Sequence, residues 1–287
     1  MENVNCAICR KDKTKLLYVV DSFRIVKCLN CGLVYVNPRL SRDELKRIYD
    51  SQDYYHSGYP NYFNKKKFIY WESRKTLKKI GKVSEQKGKR ILDIGCSFGF
   101  FLDGARELGW ETYGVEISKY ASDFARNKLH LNVTTGSIND VSYSNNFFDV
   151  ITMWDVIEHL GDPVSSLKKI RNLLKPKGIL ALATPNIESP LSRLTKERWE
   201  QIKPAYHLYY FSPRTLTKLL EESQLSLVKL STQGLGGTLK WVMRHNSLPE
   251  KGMATDSSRL KYILKNGTNK FAKIFGIGEK IIAYAKK

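Results

Sequence analysis

A glycine turn near the middle of the chain carries the residue types of a nucleoside-binding site. The run that starts at Arg90 reads RILDIGCSFGFFL, with Asp93 two residues before Gly95 and Gly99 at the end of the turn. Glycines allow the backbone to approach a ligand closely. Glu116, at the end of the next predicted strand, can accept hydrogen bonds from both hydroxyls of a ribose. The pattern predicts a strand, a turn and a helix that bind a nucleoside, the alternative being a tight turn without a ligand.

The spacing of the glycines distinguishes between kinds of nucleoside. A dinucleotide site has the pattern G-x-G-x-x-G, which seats a pyrophosphate, whereas this turn reads GCSFG. The carboxylate of Asp93 would repel a pyrophosphate but suits a ligand with an ammonium group. S-adenosylmethionine has adenosine, a sulfonium and an amino-acid tail but no phosphate, so these residues favour it as the ligand.

The same turn resembles the first motif of class I S-adenosylmethionine-dependent methyltransferases, although Ser97 stands where that family usually has a glycine. The resemblance implies an α/β fold, with a doubly wound, seven-stranded, mostly parallel sheet. After the third strand the family commonly has an acid, and here Ser137 takes that position. Arg74, on a helix predicted over 68–80, is expected to reach the carboxylate of the cofactor. The other expected cofactor contacts are Asp93, Ile94, Gly95, Cys96, Ser97, Gly99, Glu116, Ile117, Ser137, Ile138 and Trp154.

Four of the five cysteines form two C-x-x-C pairs near the N-terminus. The pairs are Cys6 with Cys9 and Cys28 with Cys31. Two such turns present four sulfurs to one ion, which is typical of a structural zinc site with no open coordination position. Disulfides are the alternative, although no secretion signal precedes the pairs. The pattern predicts a zinc ribbon or knuckle over residues 1–40, with a hairpin turn at 21–22.

Apolar runs and turn signals alternate along the rest of the chain, which indicates a parallel sheet with helices between its strands. The predicted strands are 90–94, 112–116, 132–135, 148–153, 179–184, 225–231 and 279–285, and the predicted helices are 98–108, 118–128, 163–174 and 212–223. An aromatic-rich lid segment is expected over 41–87, with a capping box at 41–44 that opens a short helix. The methyltransferase domain is expected over 88–287, with a helical insert at about 238–276.

A second resemblance comes from the segment after the fourth strand, which reads WDVIEHLGDP from Trp154. Together with LLKPKG at 173–178, it resembles the ubiquinone-type O-methyltransferase branch over roughly residues 88–225. We expect His159 to act as a general base and Glu158 to orient it, because an imidazole titrates near neutrality. The branch also implies a divalent metal at Asp155, Glu158 and His159. The alternative is that Glu158 and His159 are a structural pair at a helix start.

The run HLYYFS from His207 also resembles this branch, in which it lines the acceptor pocket. His207 is a further candidate base. The alternative is that its aromatic neighbours only steady a loop. The predicted acceptor is a small molecule or a glycan, with anionic and lipid-linked molecules among the candidates. A nucleic-acid methyltransferase and a non-catalytic, cofactor-binding scaffold are the alternative functions.

The net charge of +20 lies in the two flanks of the chain. Residues 1–88 hold 19 Lys and Arg against 9 Asp and Glu, and residues 191–287 hold 18 against 7. Residues 89–190 are balanced, with 11 against 12. Basic flanks favour an anionic acceptor, nucleic acid or a membrane surface, the alternative being general solubility. A basic amphipathic helix over 258–275 can lie on a membrane or pack as a lid. Without an apolar span or a signal sequence, a cytoplasmic protein is expected.

Overall fold

The structure of the chain is a computed structural model that describes residues 1–50, 63–83, 88–234 and 278–287. The predicted helical insert at about 238–276, its basic helix 258–275 and the aromatic residues at 54–62 lie outside the described residues. Within these ranges, no helix combines the length and the hydropathy needed to cross a lipid bilayer.

The N-terminal part of the chain folds into a hairpin, a third strand and a helix. These are β1 (Thr14–Val20), β2 (Phe23–Cys28), β3 (Val34–Val36) and α1 (Arg42–Asp50). The hairpin turn at Asp21 and Ser22 has φ angles of 48° and 67°, which polar turn residues adopt more easily than bulky ones. Ser41 and Glu44 form the predicted capping box, in which the backbone N–H of Ser41 donates to Oε2 of Glu44 at 2.8 Å.

The remaining elements alternate between helix and strand. In chain order they are α2 (Lys66–Val83), β4 (Arg90–Ile94), α3 (Phe100–Arg106), β5 (Glu111–Glu116), α4 (Lys119–Leu129), β6 (Asn132–Thr135), β7 (Phe148–Trp154), α5 (Pro163–Leu173), β8 (Leu174–Pro185), α6 (Pro190–Thr195), β9 (Tyr209–Tyr210), α7 (Pro213–Glu222), β10 (Ser226–Gln233) and β11 (Lys280–Lys286). Short 3₁₀ turns cover Phe63–Lys65, Ile157–His159 and Lys196–Arg198.

Seven strands form one sheet in the spatial order β10-β11-β8-β7-β4-β5-β6. The strands β6, β5, β4, β7 and β8 pair in parallel, and β11 pairs antiparallel with both β8 and β10. Strand β7 is buried along its length except at Trp154, as expected for a strand covered on both faces. The predicted doubly wound, seven-stranded fold is confirmed. Since the carboxyl ends of the parallel strands share one edge, that edge is where a ligand site forms.

Two predicted boundaries shift for local reasons. Helix α3 starts at Phe100 and not at Phe98, because Gly99 precedes it with a left-handed φ of 81°. Strand β8 starts at Leu174 and not at Ile179, since Leu174 pairs with Phe148 before an irregularity in the register. The starts of α4, α5 and α7 lie within one residue of the predicted ones, and each helix has a side-chain cap, as at Ser212, where the hydroxyl accepts from the Thr215 N–H at 3.2 Å.

A second, smaller sheet joins the N-terminal part to the larger domain. Strand β3 pairs antiparallel with β9, with Val34 opposite Tyr210 and Tyr35 opposite Tyr209. The guanidinium of Arg39 adds two bonds from one nitrogen, to the Tyr209 hydroxyl and to the carbonyl of Gly161, both at 2.8 Å. The predicted division at residues 40 and 87 stays a prediction, and the contacts place β3 directly against the segment that carries His207.

Candidate functional site

The glycine turn between β4 and α3 brings three left-handed positions, at every second residue, to the carboxyl edge of the sheet. Gly95, Ser97 and Gly99 have φ angles of 70°, 51° and 81°. A Cβ added at Gly95 would overlap with Cγ2 of Val156, which follows β7. Glycine is therefore required at this position, both for its backbone conformation and for the close approach of the two strand ends. The turn exposes backbone groups instead of side chains, as a ligand cradle needs.

Glu116 fixes the turn to the end of β5. Its two carboxylate oxygens accept from the backbone N–H of Ser97 at 2.8 Å and of Ser118 at 2.9 Å. The side chain is buried, at 4% exposure. Because each carboxylate oxygen has a second lone pair, these bonds orient Glu116 without using up its capacity to accept from ribose hydroxyls.

Asp93 lies buried below the turn, next to β7. The hydroxyl of Thr152 donates to its Oδ1 at 2.6 Å. Burial raises the pKa of Asp93 to about 7, and the neighbouring charge of Glu116 adds to the rise. A buried carboxyl group that lies next to a second carboxylate is stabilised as an anion by a cationic ligand. Asp93 is thus suited to the ammonium or sulfonium of the expected cofactor.

Other predicted cofactor residues fall into two groups. Ile94, Cys96 and Ile138 are buried in the core beside the turn. The thiol of Cys96 packs beneath β5, where a Cβ on Gly114 would lie 2.7 Å from its Sγ, and burial raises the pKa of this thiol. Ile94, Cys96 and Ile138 can therefore contact a ligand only through backbone groups and apolar packing. Ile117 is half-buried.

Asp140 holds the turn that follows β6, and the sequence reasoning did not single it out. The Ser137 hydroxyl donates to its Oδ2 at 2.7 Å, and Arg42 donates to its Oδ1 at 2.8 Å. Asp140 thus lies three residues after the position at which the family commonly has an acid, and it caps the turn that follows β6. An acidic residue at the end of GSIND was the available signal.

Arg74 lies apart from the other predicted cofactor residues. Its guanidinium bonds Glu107 at 3.2 Å, immediately after the C-terminus of α3, and 61% of its side chain is exposed. The N-terminus of α3 is the end that meets the glycine turn, so Arg74 lies toward the opposite end of that helix. The structure gives Arg74 no contact with the carboxyl edge of the sheet, and its predicted role stays untested.

The acceptor end begins at the carboxyl end of β7, where three buried polar atoms have no hydrogen-bond partner among the described residues. These atoms are Nε1 of Trp154, Oδ1 of Asp155 and Oε1 of Glu158. The other oxygens are bonded, Asp155 Oδ2 to Lys280 and Glu158 Oε2 to the Thr184 hydroxyl at 2.9 Å. Buried polar atoms without partners are rare, so their concentration in one segment indicates a place where a ligand supplies the missing bonds.

Glu158, His159 and His207 converge at this point. One ligand atom from each lies within 4.8 Å of the others. Nδ1 of His159 lies 2.9 Å from the carbonyl oxygen of Tyr206, and Nδ1 of His207 lies 2.8 Å from that of Gln201. A carbonyl can only accept, so each Nδ1 carries the proton and each neutral ring keeps an unprotonated Nε2.

Burial controls the ionisation of all three groups. Burial lowers the pKa of His159 to about 4. It also lowers the pKa of His207 well below its ordinary value, and the neighbouring His159 lowers that pKa further. Burial also raises the pKa of Glu158 to about 8, with help from the nearby Asp155. Both imidazoles are therefore neutral at physiological pH, and Glu158 titrates close to it.

The N-terminal part contributes directly to this end of the site, which the sequence reasoning missed. The hydroxyl of Tyr49, from α1, lies 2.9 Å from Nδ1 of His159. Arg39 holds both Gly161, two residues after His159, and Tyr209, two residues after His207. His159 is thus oriented by Tyr49 and the Tyr206 carbonyl. Among the described residues, no hydrogen bond joins Glu158 to His159, so the predicted orientation of His159 by Glu158 is not seen there.

The four predicted zinc ligands form one cluster. Their sulfur atoms all lie within 4.8 Å of one another, with Cys6 and Cys31 3.3 Å apart and Cys9 and Cys28 3.4 Å apart. Sulfurs at these separations surround a point that a tetrahedral ion with Zn–S bonds of about 2.3 Å can occupy. The cluster packs on Tyr35 and Tyr209 through the core that contains all of them.

The fold and the two ends of the site define a Rossmann-like methyltransferase domain. A family model described as "Methyltransferase domain" matches residues 68–230, more than half of the chain, and the chain belongs to this family. The expectation of a methyltransferase is confirmed by that membership.

Individual relatives match smaller shares of the chain. It is 29% identical over 153 residues to a "Ubiquinone biosynthesis O-methyltransferase" of Coxiella burnetii, covering 51% of this chain and 63% of the relative. The protein of the same name from Alkalilimnicola ehrlichii is 32% identical over 106 residues, which cover 35% of this chain and 43% of the relative. The chain therefore spans less than two thirds of the length of these curated relatives.

Solved structures support the fold. A SAM-dependent methyltransferase from Archaeoglobus fulgidus covers 80% of this chain and 100% of its own, with a TM-score of 0.55 and 21% identity. A SAM-dependent methyltransferase from Thermotoga maritima, described as a possible histamine N-methyltransferase, covers 86% and 100%, with a TM-score of 0.56 and 19% identity. At this level of identity the likeness concerns the fold alone.

Proposed function

We propose that this protein transfers the methyl group of S-adenosylmethionine to an oxygen of a small-molecule or glycan-type acceptor. The observation that carries the proposal is the convergence of Glu158, His159 and His207 at the sheet edge that also holds the glycine turn. The O-methyltransferase names of the partial relatives support oxygen as the acceptor atom.

On the donor side, the residues bind and orient the cofactor. The carboxylate of Glu116 accepts hydrogen bonds from the ribose hydroxyls, and the buried charge of Asp93 faces the cationic part of the ligand. The backbone of Gly95 and its neighbours lies against the ligand without intervening side chains. A sulfonium is already activated, so alignment of the acceptor and exclusion of water provide most of the acceleration.

On the acceptor side, methylation of a hydroxyl group releases one proton. We assign its uptake to Oε1 of Glu158, because a base with a pKa of about 8 is matched to neutral or slightly alkaline conditions. The neutral imidazoles of His159 and His207 then orient the acceptor by accepting hydrogen bonds at Nε2. This assignment gives Glu158 the role of base that the sequence suggested for His159.

Two metals belong to the proposal. Cys6, Cys9, Cys28 and Cys31 fit a structural zinc ion in number, ligand type and spacing. Glu158, His159 and His207 fit a divalent cation, since ligating histidines commonly donate their other ring N–H to a backbone carbonyl. Asp155, which the sequence suggested as a ligand, is instead bonded to Lys280. A cation bound there would polarise the acceptor hydroxyl in place of the roles assigned above, because it would occupy the Glu158 carboxylate and the two Nε2 atoms.

The test is to incubate the protein with ¹³C-methyl-labelled S-adenosylmethionine and fractionated cell extract. We expect label in a small-molecule, glycan or lipid fraction, with the carbon chemical shift of an O-methyl group. The Glu158→Gln variant should lose transfer, while Glu188→Gln, an exposed carboxylate after β8, should retain it. Label in nucleic acid, an N-methyl shift, or cofactor binding with no transfer to any fraction would each overturn the proposed function.

A further inference from the structure

Helix α2 has two faces of different character. Ser73, Leu77 and Ile80 are buried, and Gly104 of α3 lies so close to Ser73 that a Cβ would overlap with its hydroxyl. On the other side, Phe68 and Trp71 are 53% and 49% exposed. Large aromatic side chains exposed next to each other on one helix are uncommon unless the surface has a partner.

Positive charge is concentrated on the exposed surface of the same helix. Residues 66–83 contain seven Lys and Arg but only one acid, Glu72. Arg74 is paired with Glu107, whereas the six lysines are all exposed. They are Lys66, Lys67, Lys75, Lys78, Lys79 and Lys82. A face with this excess of cations is complementary to a surface of negative charge.

From these observations we infer that the exposed face of α2, called here the aromatic-lysine face and comprising Phe68, Trp71 and the five lysines other than Lys66, docks on an anionic lipid surface. Lys66 is left out because its Nζ lies over the rings of Tyr70 and Phe100. A helix with lysines on its polar side and Trp and Phe beside them lies in the headgroup region, where the rings insert and the ammonium groups meet phosphates. The inference concerns a different segment from the basic helix predicted at 258–275.

The geometry of the aromatic pair favours lipid over nucleic acid. Nζ of Lys75 lies 3.2 Å from the centroid of the Trp71 ring and covers one of its faces. The Phe68 and Trp71 rings are 5.8 Å apart and tilted by 38°. Base stacking needs a ring face that is open and flat. A tilted pair with one covered face instead forms a wedge, which suits insertion between lipid headgroups.

The aromatic-lysine face adjoins the donor end of the site. Phe63, just before α2, has its ring centroid 4.7 Å from that of Phe98 in the glycine turn, and it is half exposed. Docking would therefore bring the carboxyl edge of the sheet close to the lipid surface. The consequence that a membrane-bound acceptor can reach this edge rests on the proposed function, whereas the docking itself does not.

The test is sedimentation of the full chain with vesicles, without acceptor or cofactor, so that its outcome is independent of methyl transfer. We expect binding to vesicles with about one third phosphatidylglycerol and little binding to pure phosphatidylcholine. The double variant Phe68→Ser with Trp71→Ser, and the triple variant Lys67→Glu, Lys78→Glu and Lys79→Glu, should each bind at least about tenfold more weakly.

Matched variants on the N-terminal hairpin provide the controls. Leu29 and Val19 are 65% and 60% exposed, so Leu29→Ser with Val19→Ser removes comparable apolar surface. Lys13→Glu, Lys15→Glu and Lys27→Glu change the net charge as much as the α2 triple variant. Circular dichroism and thermal unfolding show whether each variant is folded.

The inference is overturned if the wild-type protein does not bind anionic vesicles, or if the α2 variants bind them as tightly as the wild-type protein. It also fails if the hairpin variants lose as much binding as the α2 variants. Binding of the α2 face to RNA in place of vesicles would identify the wrong partner and likewise overturn it.

Discussion

The two ends of the site are built in opposite ways. The donor end comes from adjoining elements, β4, its glycine turn and the end of β5, and its carboxylates are held by backbone N–H groups and a neighbouring strand. The acceptor end collects Glu158 and His159 from one segment, His207 from another, and Tyr49 and Arg39 from the N-terminal part. The donor end should therefore tolerate changes in the N-terminal part, and the acceptor end should not.

The largest effect is expected at Glu116, which anchors the donor end. Replacement by alanine removes the acceptor for two backbone N–H groups and for the ribose hydroxyls. Hydrogen bonds to a charged group contribute about 1.5–3 kcal/mol each, so the loss of two to the ribose predicts roughly a thousandfold weaker cofactor binding. Calorimetry with S-adenosylhomocysteine measures it.

The control for this prediction is Glu111→Ala, at the start of the same strand, where the carboxylate is exposed and pairs with Arg90. It should bind the cofactor like the wild-type protein. If Glu116→Ala kept wild-type affinity, the nucleoside would have to bind elsewhere.

Removal of zinc should separate the two ends of the site. A small segment held by four thiolates loses its fold without the metal, and β3 and Arg39 then no longer support β9 and the turn after His159. We expect methyl transfer to fall roughly a hundredfold after chelation, while cofactor affinity changes less than about twofold. Activity should return when zinc is added back, and Cys6→Ser with Cys9→Ser should show the same loss, which separates the zinc site from a cation at Glu158, His159 and His207. Simultaneous loss of cofactor binding would contradict the independence of the donor end.

Substitution of Asp93 should stabilise the protein while harming its ligand site. The folded pKa of about 7 lies above the ordinary value of 3.8, so the protonated form stabilises the fold, and this contribution is lost as pH rises from about 4 to about 7. One pKa unit corresponds to about 1.4 kcal/mol, so the ionised Asp93 lowers the free energy of unfolding by at most about 4 kcal/mol. Because the site relaxes around the charge, we expect Asp93→Asn to raise the free energy of unfolding by about 2 kcal/mol at pH 8.

Urea unfolding at pH 4 and pH 8 checks this sign, because the difference between Asp93→Asn and wild type should grow with pH. Asp149→Asn is the matched control. Asp149 is equally buried but accepts from Lys175 and from the backbone N–H of Arg90, so its loss should destabilise the protein. A destabilised Asp93→Asn variant at pH 8 would contradict the account.

The smallest effect is expected at Tyr49. Phenylalanine keeps the ring and removes the hydroxyl near His159, while the Tyr206 carbonyl still orients the imidazole. The loss of one hydrogen bond of about 1 kcal/mol predicts roughly fivefold slower transfer with unchanged cofactor affinity. Tyr143→Phe, in the aromatic cluster beside β5, should leave both unchanged. Equal rates for both variants would remove Tyr49 from the site.

The difference between the two ends also explains what the sequence could predict. Strands 90–94 and 132–135 depend on local patterns and were predicted correctly, and the starts of α4, α5 and α7 were predicted to within one residue. The roles of Tyr49 and Arg39 depend on contacts across 110 and more than 120 residues of chain. The spacing of apolar residues along the sequence does not indicate such long-range contacts.

The most direct test of the central claim, one site with two separable ends, compares the wild-type protein with His207→Gln. Both are titrated with S-adenosylmethionine and then assayed for transfer of labelled methyl to fractionated extract. We predict equal cofactor affinities and loss of transfer in the variant alone. Absence of cofactor binding by the wild-type protein, or loss of binding in His207→Gln, would contradict the claim.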